Sequence, residues 1–104
     1  MSRGPDAGTL LWRALAQSAR GHGCAVTLVE DDWSGWSSAT FTGARHTLSV
    51  AGAPGADLDG WLAALPDLEL PMRGHLVADL TVTGVTRADG RATVRLEALT
   101  VEER

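Results

Sequence analysis

The sequence predicts an α+β fold, a two-layer αββ-αββ sandwich with two helices on one face of an antiparallel sheet. Two segments carry apolar residues at helical spacing, and each is followed by segments in which apolar residues alternate with others. With 104 residues the chain has room for one hydrophobic core. We therefore expect a single domain over residues 1–104, with a loose lead-in at 1–8, a first αββ half at 9–51 and a second at 57–101.

The first helix is predicted between Thr9, whose side chain can cap its N-terminus, and about Arg20. Gly21 and Gly23 follow, and glycine readily ends a helix because it tolerates positive φ. One face of this helix collects the apolar side chains Leu11, Ala14, Leu15 and Ala19. We expect that face to pack on the sheet.

The strands of the first half are harder to delimit. Residues 24–29 alternate as a strand with apolar side chains on both faces, and the acidic and turn-forming residues 30–35 predict a turn after it. An extended segment over 36–51 then changes its apolar parity near Gly43. Either a bulge at Gly43 bends one strand, which gives a four-stranded sheet, or a turn at 43–44 separates two strands, which gives five. We favour the bent strand.

The second half is clearer. Residues 52–56 form a linker, and Asp57 is predicted to cap a short helix that runs through Leu65. Residues 73–85 form a long strand, and Ala88-Asp89-Gly90 provides a hairpin turn into the last strand. The sheet face away from the helices is then polar and carries Thr27, Thr81, Thr83, Thr93, Arg95 and Glu97.

The two halves also share short sequence markers. Arg20-Gly21-His22 is matched by Arg73-Gly74-His75, and Leu48-Ser49-Val50 by Leu99-Thr100-Val101. An internal duplication and chance similarity in a chain rich in Arg and Gly both explain these matches.

Composition excludes several classes of protein. The net charge is −4 and no basic patch is large enough to follow a phosphate backbone, so nucleic-acid binding is not expected. The single cysteine, Cys24, rules out an internal disulfide. The apolar runs are too short for a signal peptide or a membrane span, so we expect a cytoplasmic protein without a membrane partner. Lys, Ile, Asn and Tyr are absent, which indicates a GC-rich bacterial genome.

One candidate binding surface combines carboxylates with tryptophans. Asp31, Asp32, Trp33 and Trp36 are expected at a hairpin tip, where they offer an aromatic platform beside negative charge. A structural turn is the simpler interpretation, because Asp side chains often bond nearby backbone amides. A calcium site is not favoured, since the segment lacks alternating oxygen ligands and a closing Glu.

The histidines give a second candidate site. His46, His75 and Trp61 could line a pocket between the helices and the sheet. His22, His46, His75 and Cys24 lack the short spacings of a zinc motif, so neither a metal nor a cofactor is expected. Cys24 is most simply a small apolar residue.

These observations favour a non-enzymatic interaction or accessory module. No nucleophile elbow and no phosphate-binding loop is present in the sequence. The chain is expected to act through its polar sheet face, an exposed strand edge or the Trp33/Trp36 segment, and to form a homodimer. The alternative is a small-molecule-binding protein or minor enzyme that uses the histidine pocket.

Overall fold

A computed structural model describes residues 6–103. It confirms the predicted α+β class, with two helices and a four-stranded antiparallel sheet. The elements in chain order are α1 (Ala7–Gly21), β1 (Val26–Ser37), β2 (Thr42–Gly52), α2 (Ala56–Ala64), a short 3₁₀ turn (Leu65–Asp67), β3 (His75–Ala88) and β4 (Arg91–Glu102). No helix within the described residues is both long and apolar enough to cross a membrane.

The sheet has the strand order β1-β2-β4-β3, so β2 and β4 form its centre. Leu48 is paired with Leu96 and Val50 with Val94, which places these four side chains on the same face. That face forms one buried cluster with Leu11 and Leu15 of α1, Leu58 and Trp61 of α2, and Leu65 of the 3₁₀ turn. Both helices therefore lie on the same side of the sheet, and no described element covers the other side, which we call the open face.

Helix α1 begins earlier than the sequence indicated. Asp6, not Thr9, is the N-cap, and its carboxylate accepts the Thr9 backbone N–H at 2.8 Å. Ala7 and Gly8 are therefore helical, although we expected them in the lead-in; residues 1–5 of that lead-in lie outside the described residues.

The end of α1 follows the predicted glycine signal. Gly23 has φ +84°, its N–H donates to the Arg20 carbonyl, and the Cys24 N–H donates to the Ala19 carbonyl. These two bonds are those of a Schellman motif, which requires a left-handed residue at the Gly23 position.

The predicted turn at residues 30–35 is wrong. Strand β1 runs straight through it, and the chain reverses at residues 38–41, where the Ser38 N–H donates to the Phe41 carbonyl at 2.8 Å. The irregularity lies at Val29 in β1 rather than at Gly43, and the five-stranded alternative is also wrong. Cross-strand pairing with β2 overrides the weak strand propensity of aspartate and glycine here.

The second half needs smaller corrections. Gly55 precedes α2 and caps it without a side-chain bond, so Asp57 lies in the first turn instead of at the cap. The hairpin turn is confirmed: Asp89 and Gly90 have φ +54° and +71°, as a type I′ turn requires. Strand β3 begins at His75 and extends to Ala88.

The repeated sequence markers do not occupy equivalent positions. His22 is the C-cap of α1, whereas His75 is the first residue of β3. In the second pair of markers, the first residue of Leu48-Ser49-Val50 points toward the helices. In Leu99-Thr100-Val101, by contrast, the middle residue does so. The markers therefore give no structural support to a duplication.

Candidate functional site

Strand β1 separates the residues of the first candidate surface. Asp31 and Trp33 point to the helix side of the sheet, because their partners Leu48 and His46 do. Asp32 and Trp36 point to the open face. Since the four residues lie along a strand and not at a hairpin tip, they do not form one platform.

Trp36 has a structural role on the open face. It is paired with Gly43, and its indole ring lies directly over that glycine, where a Cβ would come within 2.8 Å of the ring. Among residues 6–103, no acceptor bonds its buried Nε1–H. Trp36 thus fills the space that the missing side chain of Gly43 leaves.

The outer edge of β1 presents unpaired backbone groups. The Ser38 N–H points toward β2, since it bonds Phe41, and this direction alternates along a strand. The backbone N–H and C=O groups of Asp31, Trp33, Gly35 and Ser37 must therefore point outward. No other strand within the described chain covers this edge.

A pocket lies on the helix side, at the end of the sheet next to the start of α1. Its cavity measures about 330 Å³. Two members of the second candidate site, His46 and His75, line it, and Trp33 of the first candidate surface joins them. The lining also includes Asp6, Ala44, Thr100 and Glu102.

Trp61 does not belong to this pocket. Its side chain is 0% exposed in the core, and its Nε1–H donates to Ser18 Oγ at 2.7 Å. The expectation that Trp61 shares a pocket with His46 and His75 is therefore not met.

His46 is held by a short chain of hydrogen bonds. Its Nε2 lies 2.9 Å from Thr100 Oγ1, and that hydroxyl lies 3.4 Å from the Ala44 carbonyl oxygen. A carbonyl only accepts, so the Thr100 hydroxyl donates to Ala44 and accepts the Nε2–H of His46. Nδ1 of the neutral imidazole then carries a lone pair.

The His46–Thr100 pair has the spacing of a base and a nucleophile but not the access. The Thr100 side chain is 0% exposed, and its hydroxyl proton is directed at a backbone carbonyl. A substrate cannot reach this oxygen without displacing the strand. The pair therefore acts as a structural bond between β2 and β4.

Burial lowers the pKa of His46, which is 2% exposed, and the nearby His75 acts in the same direction. Asp6 and Asp31 oppose this effect because their negative charges favour the imidazolium. Burial is the largest of these causes, so the folded protein holds His46 neutral below the ordinary pKa of histidine.

This shift gives a pH prediction. The unfolded chain binds a proton at His46 near pH 6.5, whereas the folded chain binds it only at lower pH, so the contribution of His46 to stability is complete above about pH 6.5 and decreases as the pH falls below it. Urea unfolding between pH 8 and pH 5 should show this loss, and His46→Gln should reduce its slope. A His22→Gln control that reduces the slope equally would contradict the assignment to His46.

Cys24 and His22 are placed away from the pocket. The Cys24 thiol donates to the Ala19 carbonyl, and burial raises its pKa, with the charge of Asp57 adding to the effect. His22 Nδ1 donates to the Ser18 carbonyl. In the part of the chain that the structure describes, no three His, Cys, Asp or Glu side chains are arranged to hold a metal ion.

Sequence reasoning missed Asp6, Thr100 and Glu102 as pocket residues. Thr100 and Glu102 are alternate residues of an ordinary strand, and Asp6 is a helix cap, so no local pattern distinguishes them. Their meeting depends on the pairing of Ala44 with Thr100 and of His75 with Glu102.

Fold and site together define a small α+β domain with a pocket lined by aromatic and acidic residues and with an edge strand, β1, that no other described strand covers on its outer side. No protein-family model matches it, and no curated protein matches it. Among solved structures, it is similar to the crystal structure of the type 4 fimbrial biogenesis protein PilO from Pseudomonas aeruginosa, at 16% sequence identity and a TM-score of 0.47. The match covers 88% of this chain and 63% of that one. A likeness at this level assigns neither a family nor an activity.

Proposed function

We propose that the protein is a non-enzymatic interaction module that pairs with a second copy of itself along β1. The observation that carries this proposal is the outer edge of β1, where residues 30–37 continue without a bulge and their outward backbone groups are unpaired within the described chain. Antiparallel pairing of two such edges joins the sheets into one of eight strands. A homodimer built this way removes both free β1 edges.

Symmetry restricts the register of this pairing. A two-fold axis perpendicular to the joined sheet keeps both helix layers on one side, so residues that face each other must point to the same face. With Trp33 at the axis, Asp31 lies opposite Gly35 of the partner subunit and Asp32 opposite Ser34. An axis at Asp31 would instead place like charges opposite each other, which is unfavourable.

Charge complementarity supports the register with Trp33 at the axis. On the open face, the exposed Arg45 is paired with Ser34, and Ser34 then faces Asp32 of the partner subunit. Neighbouring strands lie about 4.8 Å apart, so Arg45 and that carboxylate are about 10 Å apart at their Cα atoms. An arginine side chain spans most of this distance across the small serine, and the contact occurs twice in the dimer.

The opposite edge of the sheet is less suited to pairing. Strand β3 has two irregularities, between Val77 and Asp79 and between Val82 and Gly84. Bulges of this kind interrupt the regular row of outward groups that another strand needs.

The test uses two variants, each of which removes one outward backbone N–H from one edge of the sheet. Gly35→Pro removes an outward donor of β1, and the site tolerates a side chain because the nearest atoms to a Cβ there are 3.8 Å away. Val85→Pro is the matched control on β3. Ala88 and Arg91 flank the two-residue turn, so the Ala88 N–H points toward β4. Backbone directions alternate along the strand, and the Val85 N–H therefore points outward.

We expect light scattering to give a mass near twice 10.9 kDa for the wild type and for Val85→Pro, and 10.9 kDa for Gly35→Pro. A wild-type monomer at every concentration up to about 1 mM would contradict self-pairing, since that affinity corresponds to only about 4 kcal/mol. A dimer that survives Gly35→Pro would contradict the use of β1.

A further inference from the structure

The pocket at the end of the sheet presents hydrogen-bond acceptors from different elements. His75 Nδ1 lies 3.2 Å from the Arg73 carbonyl oxygen, which only accepts, so Nδ1 carries the proton and Nε2 a lone pair in the neutral ring. His46 gives its Nε2–H to Thr100, so its acceptor is Nδ1. No described residue donates a hydrogen bond to that Nδ1. The His46 side chain is only 2% exposed and lines the pocket.

The charges at the pocket are negative. Asp6 and Glu102 line it, and no arginine is among its described lining residues. The Thr9 N–H, bonded to Asp6, holds the pKa of that carboxyl below its ordinary value, so Asp6 is ionised at neutral pH. Asp6 also caps α1 itself, which offsets the positive end of that helix.

Trp33 supplies an aromatic face at the rim. It is 58% exposed and is the strand partner of His46, so its ring stands next to the buried imidazole. The face of an indole ring attracts cations, and arginine guanidinium groups stack on it most often.

The acceptors are too widely spaced for a metal ion, since no three acidic, His or Cys side chains in the described chain converge on one point. A planar group with several N–H donors can reach separated acceptors, and a cavity of about 330 Å³ admits it. We propose that this pocket binds a guanidinium group, which stacks on Trp33 and donates to the carboxylates and to the free imidazole nitrogens. This recognition goes beyond self-pairing, because the described residues that line the pocket all belong to one chain.

Titration with methylguanidinium, followed by the NMR signals of the Trp33 indole and the His46 ring, tests the proposal. We expect saturable binding that Glu102→Gln weakens about tenfold or more, since a charged hydrogen-bonded contact is lost. Glu103→Gln is the matched control: it removes the adjacent carboxylate, which does not line this pocket, and should leave the affinity unchanged.

Three results would overturn the proposal. If acetate shifts the Trp33 and His46 signals and methylguanidinium does not, the pocket binds anions rather than cations. Tetramethylammonium, which has no N–H donor, could bind as well as methylguanidinium, which would remove the role of the acceptors. Equal weakening by Glu102→Gln and Glu103→Gln would reduce the effect to general charge.

Two further arms define the source of the group and separate this proposal from dimerisation. If the peptide acetyl-Ala-Arg-Ala-amide binds more tightly than methylguanidinium, the group comes from an arginine of a partner protein; if it binds more weakly, the pocket serves a free small guanidinium compound. The titration is repeated on Gly35→Pro, whose altered residue does not line the pocket. Saturable binding there supports the pocket whatever the oligomeric state, and loss of binding would contradict its independence.

Discussion

Trp61→Ala is expected to destabilise the protein by about 3–5 kcal/mol, the usual range for removing a large aromatic side chain from a core. Trp61 of α2 is fully buried and belongs to the core cluster that the two helices form with the sheet. Its replacement leaves a cavity and also leaves Ser18 Oγ without the indole N–H that it accepts at 2.7 Å. Domains of this size have about 5–15 kcal/mol of stability in total, so this variant would be close to unfolding.

Urea unfolding followed by circular dichroism measures this effect. Two comparison variants divide it. Trp61→Phe keeps most of the buried surface but not the hydrogen bond. Ser18→Ala keeps the indole but removes the hydroxyl that accepts its N–H and that donates to the Leu15 carbonyl, at about 1 kcal/mol for each bond. We expect both to be much more stable than Trp61→Ala. If the free energy of unfolding of Trp61→Ala is within about 1 kcal/mol of the wild-type value, Trp61 does not hold the two helices together.

Gly43→Ala is expected to cost about 1–3 kcal/mol or more, because the site has no room for a methyl group. A Cβ there would collide with the backbone carbonyl oxygen of Thr100 and with the indole of Trp36. The carbonyl belongs to the neighbouring strand and cannot move without disturbing the β2–β4 pairing. The expected loss therefore comes from strain in the sheet.

Gly84→Ala is the control for this strain. Gly84 also lies in a strand, has no positive φ, and has no atom within 4 Å of the position that a Cβ would take. We expect its stability to change by less than about 0.5 kcal/mol. The difference between the free energies of unfolding of Gly43→Ala and Gly84→Ala measures the effect of the collision at Gly43. Equal values would contradict the prediction and show that the sheet relieves this collision without cost.

The parts of the fold that sequence reasoning predicted are those in which local patterns and tertiary packing agree. The last hairpin combines alternating residues with an Asp89-Gly90 turn, and the structure has that turn. The turn predicted at residues 30–35 is wrong because these residues favour a turn locally, whereas their pairing with β2 keeps them extended. Whether these residues form a turn or a strand is decided by β2, and the sequence of the segment itself contains no information about that partner.

The same distinction explains the site. The sequence predicts one pocket for His46 and His75, and both line the pocket at the end of the sheet. The same prediction includes Trp61, because helical spacing shows that a side chain is buried but not which end of the sheet it reaches. Trp33 reached the pocket through its pairing with His46, a register that depends on the irregularity at Val29.

The order β1-β2-β4-β3 also bears on how the chain folds. The β1–β2 and β3–β4 pairs each join neighbouring segments through a short turn, whereas β2 and β4 join residues as distant as Gly43 and Val101. The entropy of closing a long loop is therefore concentrated in a single seam at the centre of the sheet. Since Leu48 and Val50 lie on one side of that seam and Leu96 and Val94 on the other, neither half has a complete core alone. We therefore expect the two halves to fold in one cooperative transition when this seam forms.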